Sequence, residues 1–382
     1  MALKSRLGFG MMRLPVKNGD PTDFDYEKLN AMVDAFIAAG YTYFDTSYVY
    51  HNGKSEEATR KAVVERYPRD SFTVATKFPT FDLTDESQIE LIFAQQLENL
   101  GVDYIDYYLL HNFQTVYYDG IDGKGGIVKT AHLFDHANRW KAEGKIRHLG
   151  ISFHSSAKLL DRILSEHTEI EFVQIPFNYI DAESELVQAM DAYRVIRKHD
   201  RLAVFMEPVK GGGLARVPEA AAKKLREMDP SASIASWAIR YAGSFEGLIC
   251  NLSGMSTLEQ VLDNIHSVQE LEPLTEAEME KLHEVVRLYK AAGPVGADLE
   301  KYRGLRFHGA PVTGILEAYN MCQLQPDPGF SDDNNYLKNV VAEEAHLDFF
   351  GPLPEERVIL PDGTDATELV RQAEAWLIEH SF

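Results

Sequence analysis

Cysteine is almost absent from this chain of 382 residues, with Cys250 and Cys322 the only two. One such pair cannot supply a disulfide framework or the ligand cluster of a metal centre. Basic charge is also short, 38 Lys plus Arg against 59 Asp plus Glu for a net charge of −21. That balance argues against nucleic acid and anionic membrane surfaces as main partners. No run approaches the roughly 18 apolar residues of a membrane span. The first ten residues, MALKSRLGFG, show no apolar stretch leading to a small-residue cleavage pattern, so the expected compartment is the cytoplasm. The Gly-x-Gly-x-x-Gly turn of a doubly wound dinucleotide sheet is missing as well: Gly8 and Gly10 sit inside the first β-like run and lead to Met11, Met12 and Arg13. The glycine clusters Gly123–Gly126 and Gly211–Gly213 lack the Lys-Ser/Thr of a phosphate loop.

What is present is the composition of a globular protein with a large core, 45% hydrophobic and 25% charged. Short β-rich runs recur at Leu7–Met12, Tyr41–Asp45, Phe72–Lys77, Ile105–His111, Arg147–Ser152, Phe172–Phe177, Ala203–Glu207 and Leu248–Ser253. Between them lie segments of helical periodicity. In Tyr26–Ala39 the apolar residues Leu29, Met32, Val33, Phe36 and Ile37 share one face, and Gly40 stands where the helix would stop. Asp85 with Gln88, and Thr275 with Glu278, have the spacing of capping boxes at the starts of two further helices. Eight β runs separated by helices predict a parallel (β/α)8 barrel. The composition breaks near Ala291, and turn signals such as Gln325–Gly329 follow. We therefore expect a barrel over 1–291 and a small, mostly irregular or helical extension over 292–382, with a last amphipathic helix at Thr367–His380.

Polar residues fall repeatedly where these strands end: Asp45, Lys77, His111, Ser152 and Glu207. Barrel active sites lie at that end of the strands. Taken singly, each could be a solvated strand end, but five on five strands point to a site. Four polar residues in order, Asp45, Tyr50, Lys77 and His111, make a proton donor for reducing a C=O group. A lysine beside a tyrosine lowers the phenol's pKa, an aspartate holds the lysine, and a histidine can orient a carbonyl. The competing structural reading is a buried Asp45–Lys77 ion pair with two ordinary strand-end residues.

Several ordered motifs over the first 290 or so residues resemble the aldo-keto reductases. These are LGFGMMRLP, FDTSYVY followed by Gly53, Lys54, Ser55 and Glu56, ATKF, DYYLLH, GISFH, VQIPFNY, MEPVKGGGL and SGMSTLEQVLDN. The resemblance implies a soluble enzyme that reduces an aldehyde or ketone with a nicotinamide cofactor, its catalytic residues being Asp45, Tyr50, Lys77 and His111. It further implies that Ser152 and Gln174 bind the nicotinamide amide, that Lys210 meets the pyrophosphate, and that Gly254, Met255, Gln260 and Asn264 hold the adenosine part. No metal is implied. Phe153 stands where many members have an amide-binding Asn, and Met206 where many have a stacking Tyr. Gly254, Met255 and Gln260 replace the Lys, Ser and Arg that in many members clamp the 2′-phosphate of NADP. The loss of those charge-assisted contacts leaves NADP(H) favoured over NAD(H) by family habit alone. The tail resembles, more faintly, a ferredoxin-like extension carried by one branch of the family. With Cys322 as the only thiol after residue 290, it cannot supply the roughly four thiolates of an iron–sulfur cluster.

The expected partner is a small carbonyl compound, and the oligomeric state is open. Phe113, Tyr117 and Tyr118 follow the fourth strand and suit an apolar or ring-bearing substrate, or simply loop packing. Arg13 is a candidate for an anionic substrate group or a surface salt bridge, and His154 a second candidate for the mouth. Two other functions remain: a cofactor-binding regulatory protein with little turnover, and an unrelated barrel enzyme such as a glycoside hydrolase using Asp45 and Glu207.

Overall fold

The computed structural model describes residues 6–120, 123–325, 333–345 and 355–380. Eight parallel strands close into a barrel in sequence order: β1 Leu7–Gly10, β2 Tyr43–Asp45, β3 Thr73–Phe78, β4 Ile105–Phe113, β5 Ile146–Phe153, β6 Phe172–Pro176, β7 Leu202–Met206 and β8 Leu248–Gly254. Closure is made by β1 against β8, with Gly10 paired to Gly254. Parallel neighbours need a crossover of a dozen or more residues, and the helices supply it. Helix Tyr26–Ala38 buries Leu29, Met32, Val33 and Phe36, its start capped by the Asp25 side chain accepting from the Lys28 N–H. Both expected capping boxes form, Asp85 with Gln88 and Thr275 with Glu278. The helix Ile89–Leu100 stops at Gly101, whose φ of 67° is left-handed and costs a glycine little.

Two apolar layers separate cleanly. The larger fills the space between the strands and the helices around them, where Trp140 stacks on Phe93 with ring centroids 3.9 Å apart. The smaller, Tyr43, Ala75, Leu109, Phe172, Val204, Cys250 and Leu252, is a distinct cluster contributed by the strands alone. Close approach of strands demands glycine at Gly150, where a Cβ would lie 2.6 Å from the Phe172 ring.

The extension after the helix Glu276–Ala291 is more regular than its sequence suggests. It carries a two-residue antiparallel ribbon, Arg306–Phe307 with Ala310–Pro311, and helices Val312–Leu324, Asp333–Ala345 and Thr367–Glu379. Periodicity in the sequence identifies only the last of these. Val312–Leu324 buries eight of its residues, including Gly314, Ala318 and Asn320, so it lacks the polar face by which a helix is read from sequence. The turn expected beyond Gln325, at 326–329, lies outside the described residues. Among the described residues, no helix is long and apolar enough to cross a membrane.

Candidate active site

Side chains alternate along a strand, so residues two positions beyond an inward layer share its direction. Two positions past members of the small apolar cluster stand Asp45, Lys77, His111, Gln174, Met206 and Gly254. The candidate site is therefore the top layer of the barrel stack, at the carboxyl ends of the strands.

Lys77 Nζ donates to Asp45 Oδ1 at 2.5 Å and to the Thr46 carbonyl at 2.7 Å. It also lies 4.8 Å from the centre of the Tyr50 ring. The Lys77 and Asp45 side chains are only 1% and 2% exposed. Burial works against the Lys77 ammonium, but Asp45 and Tyr50 outweigh it and hold its pKa up, so it stays cationic. Burial pushes the Tyr50 phenol up, with Lys77 pulling the other way, and the net direction is upward. The expectation that Lys77 lowers this pKa therefore holds for its own influence and fails for the sum. Desolvation of the phenolate exceeds the attraction of a cation already shared with Asp45. The consequence suits a donor, because the phenol stays protonated until charge develops beside it.

Tyr50 begins a turn, Tyr50–Gly53, in which His51 and Asn52 both have φ of 52°. Hydrogen bonds hold this uncommon backbone. The Leu14 N–H donates to His51 Nε2 at 3.2 Å, and His51 Nδ1 donates to the Pro21 carbonyl at 2.9 Å. The Gly-x-Ser-Glu motif that follows ties three strand ends together. Ser55 Oγ donates to the Met11 carbonyl at 2.9 Å and accepts from Thr46 Oγ1 at 2.8 Å. Buried Glu56 accepts from Thr76 Oγ1, Gln96 Nε2 and Asn99 Nδ2 at 2.7, 2.9 and 3.0 Å. Gln96 Nε2 also donates to the Lys77 carbonyl at 3.0 Å, so the strand carrying the lysine is braced from behind.

His111 is buried with its ring 6.0 Å from Tyr50 and nearly perpendicular, at 81°. Burial, then Lys77 and His154, push its pKa well below the ordinary value, so the imidazole is neutral. Its Nδ1 lies 3.2 Å from Ser47 Oγ. Sequence reasoning does not single out Ser47, although its place within FDTSYVY is a signal that could have. Phe81 faces His111 at 5.4 Å and Tyr117 faces Phe81 at 6.5 Å. Of the three aromatics expected at the mouth, only Tyr117 belongs to this wall. Phe113 packs among Tyr118 and Phe134, and the Tyr118 hydroxyl donates to Glu166.

The residues expected to bind cofactor divide. Ser152 and Gln174 pair across β5 and β6. Ser152 Oγ accepts from the Asn112 N–H at 2.8 Å. Gln174 Nε2 rests on Met206 Sδ at 3.3 Å, and its buried Oε1 has no hydrogen-bond partner. An orphaned acceptor in this layer fits the N–H of a primary carboxamide. Lys210 requires correction as a phosphate partner: its ammonium is buried between Asp181 at 2.6 Å and Asp333 at 2.8 Å, leaving a locally anionic cluster. Met255 is buried in the helix-side core, which leaves its backbone for any ligand. Gln260 Oε1 accepts from the Ser256 N–H at 2.7 Å, and Asn264 Nδ2 donates to Ser253 Oγ at 2.9 Å. Both side chains thus brace their own segment. Gly254 lies against Arg13, whose Nη1 donates to the Gly211 carbonyl at 3.0 Å, so Arg13 bridges the turn after β7 to the end of β8.

The extension covers the β4–β7 side of this mouth. Ser156 Oγ donates to Glu343 at 2.6 Å, Asn339 Nδ2 donates to the His154 carbonyl, and the His154 ring lies 6.4 Å from Tyr336. His154 is therefore engaged with the extension as well as near the site.

The sequence profile of the Aldo/keto reductase family matches residues 6–287. An aldo-keto reductase of Mycolicibacterium vanbaalenii is 29% identical over 228 residues, 58% of this chain and 72% of that one. The uncharacterized oxidoreductase YqkF of Bacillus subtilis is 25% identical over 322 residues, 75% of this chain and 95% of that one. Among solved structures, an aldo-keto reductase from Bacillus halodurans in its holo form aligns with a TM-score of 0.58 at 24% identity, covering 73% of this chain and 91% of that one. One from Klebsiella pneumoniae, in complex with NADPH, aligns with a TM-score of 0.56 at 19% identity, covering 74% and 90%. These two likenesses show the fold.

Proposed function

The chain belongs to the aldo/keto reductase family, and on that premise we propose that it is an NAD(P)H-dependent reductase of aldehydes or ketones. The observation that carries the proposal is a protonated Tyr50 beside a buried, cationic Lys77 held by Asp45, with the ring of a neutral His111 6.0 Å from that of Tyr50. A bound reduced nicotinamide would supply hydride to the carbonyl carbon. Ser152 and the orphaned Gln174 Oε1 are the groups for its carboxamide. Tyr50 donates the proton to the oxygen as negative charge grows there. Lys77 then stabilises the phenolate left behind, and Asp45 keeps that ammonium fixed and charged. His111 holds the oxygen within reach of Tyr50. Because Asp45 is taken up by Lys77, it is a poor candidate for one of two free glycosidase carboxylates.

Phe81 and Tyr117 form an aromatic wall beside His111, which favours a carbonyl compound with a ring or hydrocarbon portion. With no basic clamp on Gly254, Met255 and Gln260, and with Lys210 engaged, the preference for NADP(H) rests on family habit.

Fluorescence titration with NADPH and with NADH, followed by turnover of an aldehyde and ketone panel, tests the reading. Saturable binding with reduction of aromatic carbonyls supports it. Binding without turnover points to a regulatory protein, and no binding of either cofactor withdraws the proposal.

A further inference from the structure

One contact in the top layer is not needed to assemble the quartet. Ser47 Oγ lies 3.2 Å from His111 Nδ1, with Ser47 wholly buried. Because the imidazole is neutral, one ring nitrogen carries a proton and the other a lone pair. Which is which decides whether His111 can donate to a carbonyl oxygen at all.

Two arrangements are open to the pair. If Nδ1–H donates to Ser47, the serine's own hydroxyl proton needs a second acceptor. Among the described hydrogen bonds, Ser47 Oγ has no partner except His111, and an unsatisfied buried polar group is costly. If the Ser47 hydroxyl donates to Nδ1 instead, both groups are satisfied and the imidazole proton resides on Nε2. The ring is also confined from its flanks by Tyr50 at 6.0 Å and Phe81 at 5.4 Å. The serine bond therefore selects the ring orientation as well as the tautomer.

We infer that Ser47 is a positioning residue that fixes His111 as the Nε2–H tautomer, presenting a hydrogen-bond donor to the substrate's carbonyl oxygen. The inference rests on the reading of His111 as the group that holds that oxygen. The opposite tautomer would aim a lone pair at the oxygen and repel it.

The test uses the full chain labelled with ¹⁵N-histidine, without cofactor or substrate, and the His111 signals are identified by their loss in His111→Asn. The expected result is a protonated Nε2 and an unprotonated Nδ1 in the wild type. In Ser47→Ala, the His111 signals should move toward a mixture of tautomers. That variant should also lose about 3- to 10-fold in kcat at unchanged NADPH affinity, the size of one modest hydrogen bond. A wild-type His111 protonated on Nδ1 overturns the inference, and that readout does not depend on any variant folding. So does a Ser47→Ala protein with unchanged tautomer and turnover. If His111→Asn itself reduces carbonyls at the wild-type rate, the role of His111 fails, whichever tautomer the spectra report.

Discussion

Among the described residues, two lysines are buried against aspartates, and their surroundings differ. Lys77 meets one carboxylate, Asp45, and one carbonyl, and keeps the Tyr50 ring within 4.8 Å. Lys210 meets two carboxylates, Asp181 on the barrel and Asp333 on the extension. Burial opposes both ammonium groups, and their carboxylates hold both pKa values up, Lys210's well up. A buried cation paired once retains field to spend on a neighbouring phenol. One enclosed by two carboxylates is saturated and acts as a staple between parts of the chain. Burial and residue type are the same in both, so the count of partners separates the lysine proposed for catalysis from the one that ties the extension to the barrel.

Substitutions can break that comparison. The largest effect is expected for Tyr50→Phe, which should lower turnover by about 10²- to 10⁴-fold with cofactor affinity and unfolding midpoint little changed. Turnover equal to wild type would remove Tyr50 as the donor. Lys210→Met should act on stability instead, costing about 3–5 kcal/mol in denaturant unfolding because two buried carboxylates lose their cation. An unchanged midpoint would mean that Lys210 is no staple. Asp333→Asn keeps a polar partner and should cost less, about 1–3 kcal/mol. Limited proteolysis should then cut the extension of this variant faster than that of the wild type.

The smallest effect concerns pH. His111 has a depressed pKa in the folded protein, whereas an unfolded chain binds a proton near the ordinary value of about 6.5. Between those values the unfolded state holds more protons, so stability falls as the pH drops below about 6.5, by at most about 1.4 kcal/mol per pH unit. His111→Asn should flatten that part of the stability–pH curve, and an identical slope in the variant would show that His111 does not produce it.

Much of the barrel is legible in the amino-acid sequence. Strand alternation, helix faces such as Leu29, Met32, Val33 and Phe36, and the two capping boxes are local signals, and the fold agrees with each. The order of Asp45, Tyr50, Lys77 and His111 at strand ends is legible for the same reason, because a closed parallel barrel brings those ends together. Other features are not. Phe113 and Tyr118 read equally as mouth residues or as loop packing, because aromatic character does not say which way a loop folds, and they pack away while Phe81 joins Tyr117 beside His111. Helix Val312–Leu324 escapes a reading by periodicity because a helix buried on most sides shows no contrast between faces.

By itself, then, the sequence determined the barrel, the family and the candidate groups for the proposed proton transfer, since these follow from short-range periodicity and motif spacing. Tertiary structure alone decided which charges stay available. Lys210 follows a strand end much as Lys77 ends one, and only folding brings Asp333 from the extension to within 2.8 Å of it. The pairing of buried charges depends on distances of a few ångströms between segments far apart in the chain, and local sequence carries no record of them.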